Sequence, residues 1–359
     1  MRTSVAQGVG IELEWFSTLE QVRDMWSAVA DPSGNLFSTW QWISTWWRHF
    51  ADERPLKGAI ARDPSGNPRV IIPLYLSARR PLAVLRFLGH GPGDWQGPIH
   101  APKDEALAAA ALALTLKQTR GWDLLVAEHV RADQRWAADI HVSVIRREGF
   151  PLLHLPNESW DEFLAKRSSN FRDQVRRRER RLKRSHVLTY RLTDAPRLNS
   201  DMELLFRLHK DRWQGHSSGA LSSRRQDFHC EFARLALDHH WLRLWVMELD
   251  NRPVAVWYGF RYKGIEWYYQ GGWDPAFRAE SVGFVLLCHT IRAALQDGAK
   301  AYWFLRGGEP YKARFADEDP GTETVVIPHG PIGQIAVGAL RHVDRLPSAA
   351  RKRAKKLAG

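Results

Sequence analysis

One segment of the chain has the residues of a phosphate-binding turn. It reads Arg278-Ala-Glu-Ser-Val-Gly283 and lies between a strand-like stretch, IEWYYQGGW, and a helix-like stretch. A turn that opens into a helix leaves the first backbone N–H groups unpaired, beside the positive end of the helix dipole. Arg278 adds a positive charge, and the amides of Ser281, Val282 and Gly283 are expected to bind the anion. The alternative is that Ser281 only caps the helix.

A second candidate for chemistry follows the next predicted strand, in the segment Leu305-Arg-Gly-Gly-Glu-Pro-Tyr-Lys312. The two glycines allow the strand end to turn sharply at the carboxyl edge of the sheet, where open α/β sheets bind ligands. A carboxylate and a phenol at that edge can transfer protons, which predicts Glu309 as general base and Tyr311 as general acid. Lys312 is predicted to contact the substrate. The alternative is a structural turn in which Lys312 pairs with Glu309.

An acidic residue and an aromatic residue stand together in the Gly-rich stretch of the first half of the chain. Asp94 and Trp95 suit a sugar or polyol, since a carboxylate accepts hydroxyl hydrogen bonds and an indole covers an apolar ring face. We therefore predict that they bind the substrate. The alternative is that Asp94 only accepts backbone N–H bonds within its loop.

The predicted strands and helices that must position these residues occur in an order that repeats along the chain. The segments LKGAIARDPSGNPRVIIPLYL and LRLWVMELDNRPVAVWYGF match in kind, and each is followed by a strand, a Gly-rich loop, a helix and a strand. A length of 359 residues allows two domains with separate cores. The pattern predicts two copies of one α/β unit.

The net charge of +12 belongs to two segments rather than to the whole chain. Residues 166–184 carry +8 and residues 341–359 carry +6, so the remainder is close to −2. The first basic segment also has apolar residues at helical spacing, and Ser159 with Glu162 forms a capping-box pattern ahead of it. We therefore predict one amphipathic basic helix from Ser159 to about Arg184.

Several classes of protein do not fit the sequence. The chain has only two cysteines, Cys230 and Cys288, in no metal-like spacing, and its 15 histidines form no H-x-x-x-H pattern. Neither a metal site nor a disulfide scaffold is expected. No signal-peptide core and no long apolar run occurs, so the cytoplasm is the expected location. The short Gly91-Pro-Gly93 lacks the spacing of a dinucleotide-binding loop.

The order of the segments resembles that of one known family. NPRVIIPLYLSARR precedes RFLGHGPGDWQGP, the basic segment SSNFRDQVRRRERRLKR follows, and YYQGGWDP comes before the loop, the helix and GGEPYKARFA. Over residues 13–326 this order is similar to that of the CelD/BcsL-like GNAT acetyltransferases, found with bacterial cellulose and exopolysaccharide genes. The loop resembles the GNAT pyrophosphate loop, with Ser281 in the place of its first glycine.

The resemblance implies an α/β fold of two mixed-sheet GNAT-like units in tandem, related to the FemABX peptidyltransferases. It implies an N-terminal unit at 10–157 that lacks a pyrophosphate loop and shapes the acceptor site. A C-terminal acyltransferase unit is expected at 158–330, including a basic helix over 159–185, followed by a basic helical tail at 331–359.

The resemblance also implies a reaction. Acetyl-CoA or another acyl-CoA is the expected co-substrate, and the backbone amides of Gly271, Gly272 and Trp273 are expected to polarise its thioester carbonyl. The expected acceptor is an amine or hydroxyl on a small-molecule, lipid-linked or nucleotide-linked saccharide or envelope precursor. A peripheral contact with an anionic membrane or with exopolysaccharide machinery is also predicted, and nucleic acid is not an expected partner.

Two other functions remain open at the level of sequence. One is a FemX-like transferase that uses aminoacyl-tRNA, with Arg172 to Arg184 on the RNA backbone. The other is a protein without catalytic activity that binds nucleic acid or a membrane surface through residues 176–184 and 351–356.

Overall fold

The computed structural model describes residues 3–6, 11–140, 142–212 and 222–345. It divides into two compact units, the first made of residues 1–149 and 320–359 and the second of residues 150–319. None of the helices in these described ranges is long and apolar enough to cross a membrane. The predicted binding segment at 351–356 lies outside the described residues.

The first unit contains two five-stranded sheets. Its strands are β1 Thr3–Ala6, β2 Ile11–Phe16, β3 Gly58–Arg62, β4 Pro68–Ile72, β5 Leu74–Ala78, β6 Val84–Phe87, β7 Ile99–His100, β8 Leu124–Arg131, β9 Ser143–Glu148 and β16 Thr322–Pro328. Its helices are α1 Arg23–Ala30, α2 Trp40–Phe50, α3 Glu105–Gln118, α4 Trp136–Asp139 and α10 Gly330–Arg345. The sheet orders are β1-β2-β3-β4-β7 and β5-β6-β8-β16-β9.

The second unit contains one six-stranded sheet in the order β10-β15-β14-β13-β12-β11. Its strands are β10 Leu152–His154, β11 Leu188–Leu192, β12 Leu242–Leu249, β13 Arg252–Tyr262, β14 Ile265–Trp273 and β15 Ala301–Trp303. Its helices are α5 Trp160–Ala165, α6 Ser169–Ser185, α7 Leu198–Arg212, α8 Ser223–Asp238 and α9 Val282–Gln296.

The two units share one pattern of strand pairing. In the second unit β13 is antiparallel to β14, β14 is parallel to β15 across α9, and β15 is antiparallel to β10. In the first unit β5 is antiparallel to β6, β6 is parallel to β8 across α3, and β8 is antiparallel to β16. The predicted α/β fold of two mixed-sheet units in tandem is therefore confirmed.

Helix α6 forms as the apolar spacing requires. Phe171, Val175 and Leu182 are buried in the core of the second unit, whereas most of the arginines between them face solvent. The helix is nevertheless shorter than predicted, because the helical conformation is interrupted after α5. A new helix begins after Ser168, which is a second N-cap whose hydroxyl accepts from the Phe171 amide. The predicted capping box is confirmed at the start of α5, where Ser159 and Glu162 satisfy each other's backbone N–H groups.

The boundaries of the units differ from those predicted at 157 and 330. Strand β16 pairs with β8 and β9, so residues 320–328 join the first unit. Strand β10 pairs with β15, so the second unit already begins at Phe150. Both strands pair with partners remote in sequence, which local patterns do not reveal. Of the predicted tail at 331–359, residues 331–345 belong to α10 and the rest lie outside the described residues.

Candidate functional site

The central strands of the second unit open into a cleft. β14 and β15 pair at only three positions, from Ile265 with Ala301 to Trp267 with Trp303, and β14 then continues to Trp273 without β15 beside it. A register shift between β13 and β14 occurs just beyond this point, at Tyr258/Gly259. Because the bulge bends β14 as β15 ends, the sheet parts at the end of the parallel pair.

A pocket of about 310 Å³ occupies this opening. Its walls come from the end of β14, the following loop, the start of α9, and side chains of β13, α6, α7 and the segment after β15. The lining residues that carry polar groups or backbone donors are Arg178, Arg212, Tyr268, Gly271, Gly272, Trp273, Arg278, Ser281, Val282, Gly283, Tyr311 and Arg314. The structure thus brings together eight of the predicted site residues: Gly271, Gly272, Trp273, Arg278, Ser281, Val282, Gly283 and Tyr311.

Every second backbone N–H group near the end of β14 faces the cleft. The Asp274 amide donates to Val254 O of β13, whereas Gly271 O accepts from Arg212 Nη1 at 3.2 Å. Since successive residues of a strand direct their backbone groups to opposite edges, Gly271 and Trp273 present their N–H groups on the side away from β13. Two amide donors, those of Gly271 and Trp273, therefore lie along the open edge of β14, which is the arrangement that polarises a carbonyl oxygen. The Gly272 N–H is directed toward β13, so the predicted contribution of that amide does not fit this geometry.

The predicted phosphate turn includes one residue, Ser281, in the left-handed backbone conformation. Ser281 stands where the related loops have glycine, and it adopts φ +58°, the left-handed region that glycine enters most easily. The Ser281 hydroxyl makes no cap hydrogen bond, so the alternative in which it caps α9 through its side chain is wrong. Among the described residues the amides of Val282 and Gly283 have no hydrogen-bond acceptor, which leaves two donors at the positive end of α9. The Ser281 amide, which was also predicted to bind the anion, instead donates to Arg278 O at 3.2 Å.

Arg278 and Trp273 border this turn. The Arg278 guanidinium lies 5.8 Å from the centre of the Trp273 ring, and a Cβ added at Gly283 would lie 3.0 Å from the same indole. A larger residue at position 283 therefore crowds the Trp273 indole. The glycine keeps the start of α9 accessible.

Two phenols and a guanidinium meet at the inner end of the pocket. Arg212 of α7 is in polar contact with both Tyr268 and Tyr311. Burial raises the pKa of the Tyr311 phenol well above its usual range, and the nearby Tyr268 and the charge of Glu309 act in the same direction. Tyr311 therefore stays protonated through the neutral range and is available as a proton donor.

Glu309 and Lys312 form an ion pair beside this cluster. Lys312 Nζ lies 2.9 Å from Glu309 Oε2 and donates to Arg306 O at 2.6 Å, with the lysine only 4% exposed. Neither residue lines the 310 Å³ pocket in the part of the chain that the structure describes. The structural alternative, a turn held by Lys312 and Glu309, is present, and the base role of Glu309 and the substrate role of Lys312 remain predictions.

The floor of the site depends on a close approach between α7 and β14. A Cβ at Gly272 would lie 2.5 Å from the backbone nitrogen of His209, so only glycine allows the helix to pack at this distance. His209 Nε2 lies 3.1 Å from Gln270 Oε1, next to the bulge. Burial, together with the charge of Arg212, lowers the pKa of His209 from 6.5 to about 4.

We expect this buried histidine to make the chain less stable in acid. The unfolded state takes up a proton on His209 near pH 6.5 and the folded state only near pH 4, so the stability contributed by the neutral ring is lost as the pH falls between these values. The free energy of unfolding should fall by on the order of 2 kcal/mol from this residue between pH 7 and pH 5. Urea unfolding of the wild type and of His209→Gln measures it: the variant should show the smaller pH dependence, and equal dependence would contradict the assignment.

Asp94 and Trp95 both lie in the first unit. Trp95 lines a pocket of about 210 Å³, under the guanidinium of Arg131 at 4.4 Å from its ring centre, and its carbonyl accepts from Asn35 Nδ2. Asp94 is 7% exposed and is not among the residues that line this pocket. Binding of the acceptor by these two residues stays a prediction.

Sequence reasoning did not place four charged or phenolic side chains in the pocket: Arg178, Arg212, Tyr268 and Arg314. Arg178 belongs to the run of arginines on α6, where pattern alone does not distinguish a pocket residue from its solvent-facing neighbours. Tyr268 lies three residues before Gly271, in a strand that the sequence had already assigned to the site. This closeness to Gly271 was the signal from which Tyr268 could have been predicted. Arg212 ends α7, whose packing on β14 has no local signature.

Comparison with known proteins agrees with this geometry. Residues 169–313 match the model of a family described as an acetyltransferase (GNAT) domain, from the first residue of α6 to the segment after Tyr311. A comparison with curated protein sequences gives no match.

Solved structures resemble the chain over nearly its whole length. FemX superposes with a TM-score of 0.62 at 11% identity, covering 90% of this chain and 99% of that one. The C-terminal domain of a putative lysylphosphatidylglycerol synthetase from Agrobacterium fabrum gives 0.54 at 12% identity, over 89% and 95% of the two chains. The structure of L-PGS from Bacillus licheniformis gives 0.52 at 11% identity, over 90% and 97%. The chain therefore has a tandem GNAT-like fold, with a GNAT-type acyltransferase fold in its second unit.

Proposed function

We propose that the chain transfers an acyl group from acyl-CoA to an amine or hydroxyl of a saccharide or cell-envelope precursor, and that the pocket of the second unit binds the donor. The single observation that supports this most strongly is the joint opening of β14 and α9 into one pocket. Carbonyl-binding amides line one wall and anion-binding amides line another. Acyl-CoA carries both a thioester carbonyl and a pyrophosphate, so it would use both sets of amides.

The residues present fit such a donor. Gly271 has Tyr268 Oη only 2.8 Å from where a Cβ would stand, so a side chain there would close the space next to the amide donors. Arg278 and the amides of Val282 and Gly283 provide the positive charge that a pyrophosphate requires. Acyl-CoA supplies the activated thioester; the chain supplies alignment and charge stabilisation.

Tyr311 is the proton donor in this proposal. Attack by an amine or hydroxyl expels a thiolate, and a protonated phenol at the inner end of the pocket can neutralise it. Arg212, which contacts both phenols, stabilises negative charge that develops on Tyr311.

Glu309 is proposed to accept the proton of the nucleophile through a water, since its carboxylate lies beside Tyr311 and outside the lining. We expect Glu309→Gln to lower turnover less than tenfold, because positioning drives attack by an amine that is already neutral. The pH–rate profile checks the role: a base gives a limb that rises with pH, and the variant should lose it. An unchanged profile would leave Glu309 only its ion pair with Lys312, and thermal unfolding would report the loss of that pair.

The acceptor and the narrower CelD/BcsL-like assignment rest on the sequence resemblance alone. Release of free thiol from acetyl-CoA, measured with amino sugars, polyols and nucleotide-linked sugars in turn, tests the proposal. We expect thiol release that depends on one of these acceptors. If the protein binds the donor but releases no thiol with any of these acceptors, the saccharide acceptor is contradicted and the donor is not.

An aminoacyl-tRNA donor is the second candidate, and the exposed face of α6 favours it. Arg177, Arg180, Arg181 and Arg184 border a solvent-open groove along this helix. An RNA backbone would bind there with a steep dependence on salt. If aminoacyl-tRNA and not acyl-CoA supports transfer in the same assay, this alternative replaces the first.

A further inference from the structure

Two arginines of the donor pocket share one aromatic ring. The guanidinium carbon of Arg178 lies 4.5 Å from the centre of the Phe284 ring, and that of Arg314 lies 5.5 Å from the same centre. Arg314 also lies 5.3 Å from the ring of Phe171 and donates to Gln174 Oε1 at 2.9 Å. These contacts fix both cations at the wall formed by α6 and the first turn of α9.

The two charges have no carboxylate counter-ion among the residues that the structure describes. Neither Arg178 nor Arg314 forms an ion pair with a carboxylate among the described residues. Burial lowers the pKa of Arg178, and the positive charge of Arg314 lowers it further. Holding two like charges together costs free energy unless an anion joins them, and guanidinium groups are suited to binding phosphate through paired N–H donors.

The position of the pair identifies the anion. Phe284 directly follows Gly283, whose amide belongs to the turn proposed for the pyrophosphate, and all of these residues line one pocket. A ligand that fills both places carries a second phosphate close to its pyrophosphate. Coenzyme A has this chemistry, because its ribose bears a 3′-phosphate next to the 5′-pyrophosphate.

We propose that Arg178 and Arg314 form a phosphomonoester subsite that binds the ribose 3′-phosphate of the donor. This proposal rests on the proposed acyl-CoA function. The subsite makes the enzyme select acyl-CoA over thioesters whose carrier lacks the 3′-phosphate, such as acyl groups on phosphopantetheine or dephospho-CoA.

Calorimetric titration with coenzyme A and with 3′-dephospho-coenzyme A tests the subsite. The wild type should bind coenzyme A at least tenfold more tightly, about 1.4 kcal/mol. In Arg178→Gln and in Arg314→Gln the ratio should fall to within about twofold of one, because only the affinity for coenzyme A drops, as expected when one charge-assisted contact of about 1.5–3 kcal/mol is removed. Arg177→Gln, which removes an equal charge from the exposed face of α6, should keep the ratio.

The outcomes separate the subsite from the donor function. Equal binding of both ligands to the wild type would overturn the subsite and leave the donor function standing. A ratio that survives in both arginine variants, or falls equally in Arg177→Gln, would also overturn it. Binding of neither ligand would contradict the donor function itself. Unchanged affinity of the variants for dephospho-coenzyme A shows that they are folded.

Discussion

Tyr311→Phe is expected to lower turnover at saturating donor by at least 100-fold, in the range of about 10²–10⁴ for loss of a general acid. The change removes one hydroxyl from the inner end of the pocket and leaves the ring, so the affinity for acyl-CoA should stay within about threefold of wild type. Because burial raises the pKa of Tyr311, the wild type should show no loss of rate from deprotonation of this residue below about pH 10. Steady-state rates from pH 6 to pH 10, with donor affinity from calorimetry, give both quantities.

Tyr268→Phe is the matched control for this experiment. It removes the other phenol that contacts Arg212, by the same chemistry and in the same pocket. We expect a loss of less than tenfold, because Arg212 and Tyr311 remain. Equal losses in the two variants would assign the proton donor to the pair rather than to Tyr311, and a loss below tenfold in Tyr311→Phe would remove its role as acid.

The second large effect is expected on donor affinity. Arg278→Ala with Gly283→Asp should weaken binding of acyl-CoA by about 100-fold, or 2.7 kcal/mol. The first change removes the guanidinium that lies 5.8 Å from the centre of the Trp273 ring, and the second places a carboxylate at the two amides that start α9. A carboxylate there repels a pyrophosphate, and its Cβ would stand 3.0 Å from the Trp273 indole. Titration of tryptophan fluorescence with acetyl-CoA measures the loss.

Arg252→Ala controls for the removal of a surface arginine. Arg252 also lies over an aromatic ring, Phe277, at 5.4 Å, but it pairs with Asp274 and does not line the pocket. We expect its affinity for the donor to match wild type. If the double variant is folded and binds acetyl-CoA as tightly as the wild type does, the proposed turn does not bind the donor.

The fold was largely predictable because its signals are local. Alternating and continuous apolar runs marked most strands, and the repeated order of segments indicated two units. The boundaries were missed because the pairing partners of β10 and β16 are remote in sequence. The break between α5 and α6 was missed because the apolar spacing runs through it from Leu164 to Phe171, whereas Ser168 provides a second cap.

The site was predictable where backbone geometry decides it. Ser281 obscured the turn in sequence, since a left-handed φ is not visible in a residue type, but the position of Gly283 ahead of an apolar helix remained a usable signal. Side chains that reach the pocket from α6 and α7 were not predictable, because their contribution depends on how these helices pack against α9 and β14. The pairing of Glu309 with Lys312 was foreseen only as an alternative, since both arrangements use the same residues.

Native mass spectrometry tests the central claim most directly, because it shows whether the chain binds acyl-CoA at all. The protein, as purified and after addition of acetyl-CoA, should carry one coenzyme A or acyl-coenzyme A per chain, and the Arg278→Ala, Gly283→Asp variant should lose it under the same conditions. A wild-type protein that remains free of coenzyme A in the presence of excess acetyl-CoA, or a double variant that retains it fully, would contradict a donor site in the pocket between β14 and α9.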